Sequence, residues 1–431
     1  MAYKISAYTL GCKVSQYESE AILEESERRG FVIANENESA DVYIVNTCTV
    51  TAEGDRKCRQ LIRRIAKKSP DAKILVCGCY SQVAPSDIEK IDCVDYISGT
   101  LDKLKIIDRA LDLLKGNDIP RVEVSSLEDA SFEKMQIKRA PRTRAYVKIE
   151  DGCENRCAYC KIPEARGNVR SKSIADTIEE VQMLAASGVK EVVLTGIETA
   201  SFGADTGESL ADLLSEVEKI DGIERIRLGS LEPTLMRPAF IEKVAKLKKL
   251  TPHFHLSMQS GCSKTLAAMR RKYNADMAIN NIKAVRAAIE GVQFTTDFIV
   301  GFPGESDEDF QTTIDFVKEA RFLDTHIFKY SKRAGTVAAT MKEQIPEEIK
   351  HERSQKLITL CKNITNDILN EEISLRPCQK VLFEQKIDGM WCGHTASFIE
   401  VRVACKYDLH GVFADVRLTS TNGEHMIGEL I

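Results

Sequence analysis

The sequence of 431 residues contains no run of eighteen apolar residues, which excludes a helix long enough to cross a bilayer. Its opening stretch, MAYKISAYTL, lacks the charged-then-apolar layout of a secretory leader. An intracellular, cytoplasmic protein with no membrane partner is therefore expected. A prevailing sign of charge is also missing: 60 Lys and Arg stand against 65 Asp and Glu, for a formal net charge of −5. That balance excludes wholesale coating of nucleic acid and leaves local basic patches open. Internal repeats and low-complexity tracts are absent too, so a repeat array is not expected. What remains is 43% hydrophobic and 29% charged, the profile of a soluble globular enzyme, and the length implies two or three domains.

Cysteine, by contrast, is abundant. Fourteen cysteines are many for a reduced compartment, where disulfides rarely persist, and they are too scattered for a small disulfide scaffold. Several are expected to ligate metal. The stretch DGCENRCAYC places Cys153, Cys157 and Cys160 in a C-x3-C-x2-C pattern, and no fourth cysteine lies near them. A structural zinc site uses four protein ligands, usually as two pairs, and a ferredoxin-type carrier uses four thiolates per cluster. Three thiolates suit a 4Fe–4S cluster with one iron left open to bind a small molecule.

Three more cysteines share a different logic. Cys12 in TLGCKVSQYESE, Cys48 in VNTCTVT and Cys79 in VCGCYSQ each fall just beyond the carboxyl end of an expected parallel strand. That edge is where open α/β sheets place their ligands. Cys58, Cys77 and Cys93 lie in a helix, inside a strand and before one, and read as small buried hydrophobes.

The chain divides by rhythm. Apolar strand-like runs at 4–10, 41–46, 73–78 and 95–98, with helical segments such as 19–30 and 55–68 among them, imply a parallel α/β domain over 1–115. Residues 116–140 are polar and aperiodic and read as a linker. Six βα units over 141–368 imply a partial (β/α)6 barrel, whose chemistry lies in the loops after its strands. Short strands and turns over 369–431 imply a small antiparallel β-barrel.

The loop CENRCAYC, with the aromatic Tyr159 before its last cysteine, resembles that of radical S-adenosylmethionine enzymes. The resemblance implies that the open iron chelates the methionine end of S-adenosylmethionine and that reductive cleavage yields a 5′-deoxyadenosyl radical. It also implies cofactor contacts from Tyr159, from Gly196 and Glu198 in VLTGIET, from Ser257 and Gln259 in LSMQSG, from Arg271 in MRRKY and from Gly301 in FIVGFPGES. With TLGCKVSQYES, VNTCTVT, GCYSQ and a small terminal barrel, the whole chain resembles the methylthiotransferases. Their pattern implies a second, auxiliary 4Fe–4S cluster on Cys12, Cys48 and Cys79 and a terminal TRAM domain that binds RNA. Within that family, GCKV-QYE and DGCENRCAYCKIP-ARG look nearest the branch acting on N6-threonylcarbamoyladenosine beside the tRNA anticodon. Such an enzyme needs an external one-electron reductant and a sulfur donor. A branch acting on isopentenyl-adenosine, a relative modifying an aspartate of a ribosomal protein, and a non-catalytic Fe–S sensor are the competing readings.

Two basic runs bear on an RNA partner. Arg56, Arg59, Arg63, Arg64 and Lys67 lie on the helix expected at 55–68, and Arg142 and Arg144 lie in KRAPRTRAYVK. In an otherwise acidic chain they are expected to form a stripe that contacts the phosphates of an anticodon stem-loop. His253 and His255 share one strand face and are expected to be packing or hydrogen-bonded residues.

Overall fold

The computed structural model describes residues 2–35 and 38–431. The N-terminal sheet has six parallel strands in the order Val32–Ile33, Lys4–Thr9, Val42–Thr47, Lys73–Gly78, Tyr96–Ser98 and Val122–Glu123. Every residue of Val42–Thr47 is buried, since helices cover both faces, and this is why the strand reads as an unbroken apolar run rather than an alternating one. The helix Ala52–Lys68 buries Cys58, Leu61, Ile62 and Ile65 on one stripe and leaves its basic side chains outward. Thr51 caps it by accepting a hydrogen bond from the Gly54 N–H at 3.0 Å.

The polar segment 116–140 is more firmly tied than its composition implies. Val122–Glu123 extends the first sheet, and Met135 and Ile137 are buried. The Tyr17 hydroxyl donates to the Met135 carbonyl at 2.6 Å, fastening this segment to the helix Lys13–Arg28.

Parallel strands Arg144–Lys148, Glu191–Thr195 and Arg225–Leu228 then follow in spatial sequence. The third strand resumes as Ser230–Leu231, and His253–Gln259, Gln293–Val300 and Asp324–Lys329 continue the wall. The result is the partial (β/α)6 barrel, broken at Gly229 into three-stranded and four-stranded sheets. The 29-residue helix Glu347–Leu375 packs against the last of these strands and leads to a closed five-stranded barrel over Cys378–Leu430.

In that small barrel one pair departs from the antiparallel expectation: Glu400–Val403 runs parallel to Met426–Leu430. Parity requires it, because strand directions cannot alternate all the way around a closed ring of five. The barrel is held to the central domain by arginines from one face of Arg225–Leu228. Arg225 donates to the carbonyls of His394 and Lys380, and Arg227 to those of Thr395 and Ala396, at 2.6–3.0 Å. Phe398 enters between the two domains, stacked between His253 and His394 with 4.7 Å between ring centroids on either side.

Buried Glu191 is the shared anion of this joint, 3.0 Å from Arg144 and 2.8 Å from Arg227. Removing one partner of a buried ionic set leaves charge uncompensated. Glu191→Leu is expected to cost about 3–5 kcal/mol in urea unfolding of the metal-free chain. A loss below about 1 kcal/mol would mean that the carbonyl contacts suffice to hold the joint.

Candidate active site

Cys12, Cys48 and Cys79 stand on three neighbouring loops of the first sheet. Cys12 is the residue before the helix Lys13–Arg28, Cys48 follows the strand Val42–Thr47, and Cys79 opens the short helix after Lys73–Gly78. Gly78 sits at φ +108°, and a Cβ there would lie 2.5 Å from the Thr47 carbonyl oxygen, so only glycine admits this turn into Cys79. A Cβ at Gly11 would be 3.6 Å from that of Cys48, which shows how closely the first two loops approach. Burial, and then the adjacent Cys79, push the Cys48 thiol up to about 12.

The second set lies on the loop after Arg144–Lys148. The Cys160 N–H donates to the Cys157 carbonyl at 3.0 Å, and the Cys160 sulfur accepts from the Ile162 N–H at 3.4 Å. Burial pushes the Cys153 thiol up to about 12 and that of Cys160 to about 11. Arg271 Nη1 donates to the Cys157 sulfur at 3.1 Å. A single tetrahedral zinc with Zn–S near 2.3 Å would draw its sulfurs to about 3.8 Å apart. Among the described residues neither cysteine set converges within 4.8 Å, whereas His255, Asp297 and His326 do. Wider thiol triads with N–H and guanidinium donors aimed at sulfur are suited to an iron–sulfur cluster rather than one metal ion.

Arg166, on the short helix Ile162–Arg166 that follows the second set, reaches back to the first. Its Nε donates to the Cys79 sulfur at 3.2 Å and its Nη2 to Glu18 at 3.2 Å. Lys103 and Lys148 meet Glu18 at 3.2 and 3.1 Å, and Lys148 also meets Asp151 at 2.6 Å. Glu18 and Arg166 are both 0% exposed. Burial alone would raise the Glu18 carboxyl, but the Arg166, Lys103 and Lys148 charges hold it well below the usual carboxylate range. The network crosses the domain boundary and sets the two cysteine sets against each other.

On the barrel side, Gly196 brings its backbone against Glu150: a Cβ there would lie 2.4 Å from Glu150 Oε2. That oxygen accepts from the Glu198 N–H at 2.8 Å. Oε1 of Glu150 and Oε1 of Glu198 are buried without a hydrogen-bond partner. Burial pushes the Glu150 carboxyl well up, and burial with the adjacent Glu232 brings Glu198 to about 7. Two orphaned carboxylate oxygens beside the cysteine loop fit the ammonium of a bound amino acid, such as the methionine end of S-adenosylmethionine. Arg271, 3.0 Å from Glu232, completes this corner. Ser257 contributes its carbonyl, which accepts from Tyr273 at 2.8 Å. Gln259 holds φ +64° where the strand register shifts, Tyr159 meets Phe302 edge-on, and Gly301 donates its N–H to Glu305 at 2.9 Å.

The two halves share a cleft of about 620 Å³ whose walls include Cys12, Lys13, Gly196 and Phe398. Asp297 lies within it, 3.2 Å from His255 and 3.0 Å from His326. His253 and His255 both meet the Thr295 hydroxyl, at 3.0 and 2.9 Å, as hydrogen-bonded residues of one face.

The basic residues divide. Arg63, Arg64 and Lys67 are exposed, with no ion pair among the described residues, and Arg142 is exposed with a 2.7 Å bond to Gln16. Arg56 pairs with Glu53 one turn away, and Arg59 is spent on the Tyr80 hydroxyl. Arg144 does not extend the stripe: its side chain is 10% exposed and clamps Glu191 and Glu384. Strand alternation turns it inward, a partnership that a charge run alone does not reveal. Arg166, Glu150 and Lys13 were missed as site residues, although each lies in a stretch that already stood out. The signal for Lys13 and Glu150 is adjacency, one residue after Cys12 and just beyond a barrel strand, and for Arg166 its place on the short helix that follows the cysteine loop.

A cysteine loop after the first strand of a partial (β/α)6 barrel, beside an acidic nest and a second cysteine set, defines a radical S-adenosylmethionine enzyme with an added thiol-bearing domain. Residues 147–317 match the Radical SAM superfamily, and residues 4–99 match the uncharacterized protein family UPF0004. A solved radical S-adenosylmethionine methyltransferase, TsrM from Kitasatospora setae, shares the fold with TM-score 0.59 at 15% identity, over 88% of this chain and 77% of that one. The chain is 37% identical to the threonylcarbamoyladenosine tRNA methylthiotransferase MtaB of Bacillus subtilis, over 99% of its own length and 96% of the relative's. It is 38% identical to the MtaB of Thermotoga maritima, over 97% and 95%. To the tRNA-2-methylthio-N(6)-dimethylallyladenosine synthase of Carboxydothermus hydrogenoformans it is 37% identical, over 98% of each. The chain belongs to the radical S-adenosylmethionine methylthiotransferase family, and that membership brings with it S-adenosylmethionine and a 4Fe–4S cluster.

The raised Glu198 carboxyl has a pH consequence. Its folded value, about 7, lies above the ordinary glutamate value of 4.5, so its neutral form is favoured by folding. Stability is therefore lost as pH rises from about 4.5 through about 7. Relative to the parent, Glu198→Gln is expected to gain about 1–3 kcal/mol between pH 5 and pH 8 in the cofactor-free chain. A stability difference that does not change over that range would show that Glu198 is not held neutral.

Proposed function

We propose that the chain is a tRNA methylthiotransferase that converts N6-threonylcarbamoyladenosine beside the anticodon to its 2-methylthio derivative. The observation that carries the reading is the approach of two cysteine triads from two domains, bridged by Arg166, which follows the second set in the chain and donates to the Cys79 sulfur of the first. Cys153, Cys157 and Cys160 would hold the radical cluster, and Cys12, Cys48 and Cys79 an auxiliary one. When bound, the clusters and S-adenosylmethionine supply hydrogen abstraction at adenine C2 and a methylated sulfur to form the new C2–S bond. An external one-electron reductant and a sulfur donor are required.

The chain's own residues position and shield. Glu150 and Glu198 receive the ammonium of S-adenosylmethionine, and Gly196 lets its backbone approach. Arg271 pairs with a carboxylate in the same corner. No general base is needed for the C–H step, in keeping with histidines that are hydrogen-bonded to Thr295 and Asp297 rather than poised as a catalytic set. The exposed Arg63, Arg64, Lys67 and Arg142, with the terminal barrel acting as a TRAM domain, would meet the RNA. The cytoplasm is where such a substrate is found. The substrate reading follows the two MtaB relatives. Modification of isopentenyl-adenosine is the second reading, favoured by an equally similar relative.

Mass spectrometry of tRNA nucleosides from a host lacking the activity tests both. Supplying the gene should produce 2-methylthio-N6-threonylcarbamoyladenosine, and Cys12→Ala or Cys153→Ala should abolish it. A 2-methylthio-isopentenyl product instead would move the enzyme to the other branch, and no modified nucleoside would reject tRNA as substrate. For the RNA surface, Arg63→Glu with Arg64→Glu is expected to weaken tRNA binding at least about tenfold and to flatten the salt dependence by about two phosphate contacts. Unchanged binding in a filter assay would remove this face from the interface.

A further inference from the structure

We propose that Lys13 determines the specificity of the cleft, its ammonium receiving the free carboxylate of an amino-acid arm attached at N6 of the target adenine. The inference rests on the reading above and names the class of N6 substituent that the cleft accepts.

Position is the first argument. Lys13 follows Cys12 directly, and both line the cleft that also holds Gly196. The ammonium is thus one residue from a sulfur on the auxiliary side, across the cleft from the cofactor corner. In adenine, C2 and C6 flank the same ring nitrogen, so a group carried on N6 lies along the same edge as the carbon that reacts. A carboxylate on that arm falls near whatever holds the incoming sulfur. Lys13 occupies that place.

Charge is the second. Arg144 and Arg227, the other cations lining the cleft, are engaged with Glu191, Glu384 and carbonyls of the small barrel. Asp297 is held between His255 and His326. Lys13 has neither an ion pair nor a hydrogen-bond partner for its side chain among the described residues; burial and the like charges of Arg144 and Arg227 disfavour its ammonium, and Asp297 only partly offsets them. A hydrocarbon arm in this corner would strip water from an unpaired ammonium and return nothing, whereas a carboxylate compensates it. Phe328 supplies an apolar wall for the rest of the substrate.

The test uses the full chain loaded with its clusters and anticodon stem-loop RNAs carrying threonylcarbamoyladenosine, its methyl ester, or isopentenyl-adenosine. Both kcat/KM and the equilibrium Kd of the RNA are measured, with iron content and thermal melting as folding controls. Lys13→Gln is expected to lose at least about 30-fold on the acid in both quantities, and Lys13→Arg to recover most of it. On the methyl ester, parent and Lys13→Gln should agree within about threefold. The parent alone should prefer acid to ester by a similar 30-fold, which keeps the test decisive even if a variant misfolds. Lys13→Gln within threefold of the parent on the acid overturns the proposal. An equal loss on acid and ester overturns it too, by assigning Lys13 to cofactor or cluster instead. A parent that modifies only the isopentenyl RNA overturns the threonylcarbamoyl reading and this inference with it. An active parent indifferent to Lys13 overturns the inference alone.

Discussion

Everything in the centre of the molecule depends on a carboxylate that cannot stand alone. Glu18, fully buried, would be untenable without Arg166, Lys103 and Lys148 around it. Glu18 and Lys103 belong to the first domain, Arg166 and Lys148 to the second. Two domains that each carry one of the three-cysteine sets are thereby locked at one relative placement. Hydrophobic burial alone would tolerate small rotations between them; a buried ionic network with short donor distances does not. Arg166 adds the finer link, since the guanidinium that satisfies Glu18 also donates to the Cys79 sulfur.

A second constraint runs the opposite way. Where the Glu18 network is compensated, Glu150 and Glu198 are buried with oxygens that nothing in the chain satisfies. The fold carries that cost at the mouth of the cysteine loop, where a cationic ligand would relieve it. Stability and binding would thus be linked through the same two carboxylates: burial raises their proton affinity, and a cationic ligand bound there would replace the proton. The small barrel is joined by yet another ionic set, three arginines around Glu191, with Phe398 seated between the two domains. The cleft is closed at that end by a charged joint rather than by a purely apolar plug.

The fold was largely legible in the chain because its signals are local. Strands such as Val42–Thr47 are apolar throughout and flanked by helices, and parallel pairing follows from that alternation. The cysteine loop is equally local, with three thiols inside eight residues. Elsewhere local reading fell short. Polar composition marked residues 116–140 as a linker, yet Met135 and Ile137 are core residues and Val122–Glu123 is a strand, because two or three apolar side chains suffice to pin a segment whose overall period is weak. Arg144 looked like one more surface cation until Glu191 and Glu384, 47 and 240 residues away, claimed it.

By itself, the sequence determined the mixed α/β architecture with its small terminal barrel and singled out the two cysteine sets, since spacing, periodicity and residue type are properties of neighbours along the chain. Only the tertiary structure decided which charges are spent and which remain free. Arg144, Arg166 and Lys13 are all cations at the end of a strand or helix near the cysteine loops. One clamps a domain joint, one holds a sulfur and a buried carboxylate, and one is left facing the cleft. That difference lies in partners brought together from distant parts of the chain, and electrostatic compensation across such distances leaves no mark on local pattern.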